Sequence, residues 1–332
     1  MLKRLLLSLA LLAMAIGTTA CSGSVLSEVL KSDKERDSSP NVSQPDIVSQ
    51  AKGNSQFAFD LYRVIKEAEG NLFYSPYSIS LALAMTYAGA GGNTEDQMTD
   101  TLHFLLSQEK LHPALNYLDI ELNSRGEGAN SKDGEGFELN IVNAIWGQKD
   151  YQFLNSFLDV LAENYGAGLR LMDFIADAEK ARVEINDWVS ENTEGRIEEL
   201  IPQGAIDTLT RLVLTNAIYF NAAWASPFDE QLTCDGPFYL LNGDQIDIPM
   251  MHQTEYFGYT SGDGYQAVEL PYDGSELSMV IFAPGRGNFE QFESLLNAQT
   301  AADIISDLES TNIALTMPRF NFEAEIDLKS IL

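Results

Sequence analysis

Residues 211–229 read RLVLTNAIYFNAAWASPFD. The first half is apolar or β-branched, with no Gly or Pro before Pro227. An extended backbone places Leu212, Leu214, Asn216, Ile218 and Phe220 on one face, and Val213, Thr215, Ala217 and Tyr219 on the other. Both faces are mostly apolar, so the stretch predicts a central strand covered on both sides. Asn216 interrupts the apolar pattern. Burial requires its amide to be hydrogen-bonded, because an unpartnered one costs about 1–3 kcal/mol.

Upstream of this strand the pattern is mainly helical. Phe57, Leu61, Val64 and Ile65 recur at helical spacing and predict a first helix that ends by Gly70. Ser75-Pro76 offers a capping hydroxyl and a proline at the first helical position, opening a core helix over Tyr77–Ala88. Thr94 and Gln97 resemble a capping box for a helix carrying Met98 and Leu102. Residues 137–146 alternate as a strand, and Phe153, Phe157, Leu161 and Tyr165 mark a helix. Gly166 and Gly168 read as turn residues before an extended return over 169–174. Ala181, Ile185, Trp188 and Val189 mark another helix.

Beyond Pro227 short strands take over, at 238–241, 246–251, 256–259, 266–271 and 277–283. Helical spacing returns at 289–295 and 301–308, followed by strands at 313–318 and 320–326 and a starting helix at 328–332. Helices early and strands late predict one α+β domain rather than a regularly alternating sheet.

Composition narrows the function. The chain has 332 residues, 45% of them hydrophobic, enough for a sizeable core. Its 20 Lys and Arg against 49 Asp and Glu give a net charge of -29, which repels a phosphate backbone and argues against nucleic acid as a partner. His occurs only at 103, 112 and 252, without the clustered ligands a metal centre needs. No G-x-S-x-G elbow is present, and abundant carboxylates single out no acid–base pair. The expectation is a protein with no catalytic residues, no metal and no cofactor.

Cys21 and Cys234 are the only cysteines, so no disulfide framework exists. Cys234 reads as a small, partly buried filler. Lys3 and Arg4 precede an apolar run over Leu5–Ile16, too short for an ordinary transmembrane helix and fit for a secretory signal. The small residues Thr18, Thr19 and Ala20 before Cys21 resemble a bacterial lipoprotein signal. Residues 1–20 are therefore expected as a signal peptide. Residues 21–51, polar and carrying Pro40 and Pro45, are expected as a flexible tether with a lipid on Cys21. The expected location is secreted or extracellular, tethered to the bacterial cell envelope. Ordinary secretion with an incidental Cys21 is the alternative.

Six segments then carry a family resemblance. They are NLFYSPYSISLALAMTYAGAGGNTEDQM at 71–98, INDWVSENTEGRIEELI at 185–201, the opening stretch at 211–229, AVELPYDG at 267–274, MVIFAP at 279–284 and LTMPRFNFEAEIDL at 315–328. In this order they resemble a serpin, the serine protease inhibitor family, over the folded body at 52–332. The resemblance implies a large five-stranded β-sheet A, two further sheets and eight to nine helices, with the helix at 152–165 across the face of the large sheet. It implies inhibition by suicide substrate: a target serine protease attacks a strained loop, and the cleaved loop inserts into sheet A.

Ser75, Ser78 and Asn216 match the family's shutter, where the central strands part. Trp224 matches the breach, where the loop first enters. The family pattern continues past the last segment, so the reactive bond is expected beyond Leu332. The C-terminal part of the fold is expected to be missing, the chain being truncated. Serine proteases are the implied partners, with cysteine proteases as alternative targets. The full protein is expected as a monomer, and a truncated chain leaves a sheet edge that invites association. A non-inhibitory serpin-fold binding or structural protein at the cell envelope is the rival reading.

Overall fold

The computed structural model describes residues 28–67, 70–126, 129, 137–193, 195–321, 328 and 331. In chain order the elements are β1 (Val29–Leu30), α1 (Gln44–Ile65), α2 (Pro76–Tyr87), α3 (Asn93–Thr101), α4 (Gln108–Asn123), β2 (Glu138–Gln148), α5 (Asn155–Tyr165), β3 (Leu169–Met172), α6 (Ala178–Asn192) and β4 (Leu212–Asn221). Then follow a 3-10 turn at Glu230–Leu232, β5 (Cys234–Tyr239), β6 (Gln245–Gly262), β7 (Tyr265–Pro271), β8 (Ser278–Pro284), α7 (Phe289–Leu295), α8 (Ala298–Ser306) and β9 (Glu309–Pro318).

The opening stretch forms β4. It pairs antiparallel with β2 from Glu138↔Asn221 to Gly147↔Leu212, and β2 pairs parallel with β3. The described sheet runs β1-β3-β2-β4. Strand alternation sorts its side chains to two covered faces. On one face Ile145, Leu169, Leu212 and Leu214 pack with Met85 of α2 and Phe157, Leu158 and Leu161 of α5. On the other, Ala144, Trp146, Met172 and Val213 pack with Ala181, Ile185 and Trp188 of α6. The helix expected at 152–165 does cover a sheet face, and α6 covers the opposite one.

The later strands form a five-stranded sheet around the long β6. Its first residues pair with β5, its middle with β9 and its last with β7, which continues to β8. The two further sheets expected are thus joined through one shared strand, β6. Eight α-helices stand among the described residues.

The expectation that the C-terminal part of the fold is missing is corrected. Helices α7 and α8 are formed, and β9 is held along β6 from Met250↔Pro318 to Tyr259↔Glu309. Asn297 caps α8 by accepting from Gln299 and Thr300, and α8 buries Ala301 and Ile304. The expected strand at 320–326 and helix at 328–332 fall almost wholly outside the described residues.

The N-terminal boundary also differs from the sequence reading. α1 starts at Gln44, where Ser43 accepts from the Asp46 N–H and Pro45 sits in the first turn. Proline is tolerated there because its missing N–H has no intrahelical partner anyway. Residues 28–51, read as part of a tether, are a docked segment followed by the first turns of α1.

Candidate functional site

The residues expected as the shutter lie where α2 meets the centre of the sheet. Ser75 caps α2: its Oγ accepts from the Ser78 N–H at 3.3 Å and lies 2.9 Å from Ser78 Oγ. Ser78 is buried, and no residue of α2 is exposed. This follows from the run PYSISLALAMTY, which is apolar or small almost all round. Tyr77 within it packs with Phe57, Leu61, Leu111 and Leu115.

Asn216 sits at mid-strand opposite Asn143 of β2. Its Nδ2 donates to Asn143 Oδ1 at 2.6 Å, and both residues are half-buried. The bond satisfies the polar group that the apolar pattern left unexplained. The hydrogen bonds described join Ser75 to Ser78 and Asn216 to Asn143, so the structure presents two polar pairs on adjacent elements. Asn143 was not among the expected site residues. Its signal was an asparagine in a strand otherwise reading Leu139, Ile141, Ile145, but only the β2–β4 register makes it the partner.

One step along the sheet, Trp146 Nε1 donates to Thr215 Oγ1 at 3.0 Å, both buried. Arg170 lies over the rings of Trp146 and Trp188, at 5.3 and 4.9 Å. Burial pulls its guanidinium pKa down from the usual value. Asn186 of α6 donates to the Ile201 carbonyl and accepts from its N–H, tying the irregular link over 197–206 to the helix.

Trp224 lies just past β4. It forms a bridge with Tyr272 and stacks on that ring at 4.7 Å and 10°. The Ala225 N–H donates to the Pro271 carbonyl, and the Asp273 N–H to Ala223. Tyr272 in turn meets Phe220 edge-on at 5.0 Å, and burial raises its phenol pKa. Trp224 therefore joins the end of the large sheet to the second sheet, where it packs beside Phe257, Val268, Leu270 and Met317.

Among the described residues no group of three or more His, Cys, Asp or Glu could hold a metal ion. Cys234 departs from expectation: it is exposed, with Sγ 3.6 Å from His252 Nε2. Cys21 and residues 1–20, expected as a leader, lie outside the described residues. So does residue 332, beyond which the reactive bond was expected.

Comparison with known proteins gives a consistent result. The family model described as Serpin (serine protease inhibitor) matches residues 52–332. A serpin-like protein of Thermococcus kodakarensis is 38% identical over 278 residues, covering 84% of this chain and 63% of its own length. The leukocyte elastase inhibitor of Sus scrofa is 40% identical over 293 residues, covering 84% of this chain and 74% of its own. The solved structure of emu ovalbumin (Dromaius novaehollandiae) superposes with a TM-score of 0.78 at 26% identity, over 85% of this chain and 76% of that one. The expected label of a truncated, lipoprotein-like member is corrected to family membership: the family match runs through α7, α8 and β9 to residue 332, and the chain spans 63% and 74% of the length of these two curated relatives.

Proposed function

Because the chain belongs to the serpin family, we propose that it inhibits serine proteases as a suicide substrate. It is not an enzyme. The proposed step begins with the protease serine Oγ attacking a loop carbonyl. A Ser–O–acyl ester forms, the peptide bond breaks, and the leaving amine takes the proton. The cleaved loop then adds to sheet A as a new strand before water can cleave the ester. Strand addition is favourable because backbone groups gain a ladder and apolar side chains gain burial together.

The observation that carries this reading is the family match over residues 52–332. Among the described residues β4 pairs with β2. A further strand adds to a sheet by pairing along an existing strand. Asn216 lies at the middle of β4 and Trp224 just past its end. The Asn143–Asn216 bond would loosen and re-form as the strands part, exchanging partners rather than leaving a buried amide unsatisfied.

The test is direct. The full protein, with the loop expected beyond residue 332, is incubated with a panel of serine proteases, cysteine proteases being a second panel, and run on a denaturing gel. A band just below the summed mass of inhibitor and protease is expected, the released C-terminal peptide being lost. Cleavage of the full protein across the panel with no covalent adduct would overturn the reading. The basic Lys3–Arg4 and the apolar Leu5–Ile16 support action outside the cytoplasm. Recovery of the protein only with cytoplasmic markers on fractionation would exclude that location.

A further inference from the structure

Residues 28–43 precede the stretch that matches the family, yet they are bound to it. β1 pairs antiparallel with β3 through Val29↔Arg170 and Leu30↔Leu169, and the Leu171 N–H donates to the Glu28 carbonyl at 2.7 Å. Leu30 packs on the core cluster of Ile145, Phe157 and Leu169. The chain then crosses α5 and α4. Ser32 Oγ donates to Asp159 at 2.5 Å, and Lys34 Nζ pairs with Glu163 at 2.7 Å and with Asp159 at 3.7 Å. Arg36 donates to Asn116 Oδ1 at 2.8 Å and to Asp119 at 2.6 Å. The fully buried Asn116 returns a bond to the Asp37 carbonyl at 2.7 Å, and the Asp37 N–H donates to the Glu163 carbonyl.

The surface beneath is shaped for a backbone. A Cβ on Gly168 would stand 2.6 Å from Val29 Cγ1 and 2.6 Å from Lys31 Cγ, and one on Gly166 would stand 3.0 Å from Arg36 Cδ. Gly166, at φ 60, also ends α5 in the left-handed conformation. No positive φ requires glycine at 168, so its missing side chain serves the segment that lies over it. The result is a groove with a strand edge along one side, a glycine floor, and a wall carrying Asp119, Asp159 and Glu163.

We infer that this groove is a binding site for an extended peptide that sets a lysine and an arginine against its carboxylates, and that residues 28–37, with Lys34 and Arg36, are its built-in ligand, a releasable clamp holding β3, α5 and α4 together. The inference does not depend on protease trapping. Release is feasible because the ladder spans two residues and the ion pairs are partly exposed, where each contributes little and is screened by salt. The link at 38–41 is also accessible, with Ser38, Ser39 and Asn41 exposed. A vacated β3 edge would present unpaired backbone groups, which the same segment could cover again.

A specific protease site placed at 38–41 of the full chain allows the folded protein to be nicked. At low salt the cut segment is expected to co-elute with the body. It should leave at roughly 1 M salt, where the screening length falls to about 3 Å. The Leu171 amide should then exchange at least tenfold faster. The emptied body should take up a fluorescent peptide spanning residues 27–38, and bind its Lys34→Ala/Arg36→Ala version at least tenfold more weakly. Gly168→Val in the nicked chain should release the segment at low salt. Lys34→Ala/Arg36→Ala in the nicked chain, which alters no core residue, supplies the same readout if Gly168→Val fails to fold. Loss of the wild-type segment at low salt, equal binding of the two peptides, or unchanged Leu171 exchange after release would each overturn the inference.

Discussion

Asn216 and Asn143 form the polar contact on which the proposed opening of the sheet turns. Removing one amide leaves the other half-buried without its partner. Asn216→Ala should cost roughly 1–2 kcal/mol in urea unfolding, and a cycle with Asn143→Ala should return a coupling of about 1 kcal/mol. Additive losses would mean that the bond contributes nothing beyond the two side chains. His112 offers a second test at this scale. It is buried in α4, with Nδ1 2.6 Å from the Tyr165 hydroxyl, and burial lowers its pKa from 6.5 to about 4. Between those values the unfolded chain binds a proton that the folded chain refuses. Stability therefore falls as pH drops from about 6.5 towards 4, by up to roughly 3 kcal/mol. His112→Gln should flatten that part of the pH–stability profile, and parallel profiles for the two proteins would refute the assignment. The asparagine in β4 was legible as a group in need of a partner. Its partner was not, because Asn143 lies 73 residues away and only the strand register joins them.

At the scale of elements, α2 has its start written in Ser75-Pro76, and the structure keeps it. Ser75→Ala removes the oxygen that accepts from Ser78 N–H and should cost about 1 kcal/mol in thermal or urea unfolding. Ser75→Asp should recover most of that loss, because a carboxylate can accept the same bond; no rescue would mean the Ser75–Ser78 hydroxyl contact dominates. Other elements were less legible. α4 was not expected, since Pro113 falls inside it and masks the spacing of Leu111, Leu115, Leu118 and Leu122. The early start of α1 was hidden for a related reason, because Pro45 reads as a breaker until Ser43 is recognised as the cap before it. The two short strands expected over 246–259 are one continuous strand. Thr254 and Glu255 pair with Ala314 and Ile313, a partner strand about sixty residues on that local pattern cannot reveal.

For the whole molecule, a net charge of -29 places carboxylates near one another over the surface. Their repulsion should make the fold more stable as salt screens it, with Tm rising by a few degrees between roughly 0.01 and 0.3 M salt. A Tm that falls over that range would mean that attractive pairs, such as Arg36–Asp119 and Lys66–Glu293, outweigh the general repulsion. The sequence by itself determined the α+β class, the central strand, the capped core helix and the family, because these rest on local periodicity, capping chemistry and ordered motifs. The partner of Asn216, the stacking of Trp224 on Tyr272, and the docking of residues 28–37 over Gly166 and Gly168 were decided only by tertiary structure. Each depends on groups far apart in the chain being brought within a few ångströms, and local pattern carries no record of such distances. The stretch at 211–229 thus announced a buried strand with an awkward amide, and the fold made that amide one half of a cross-strand pair.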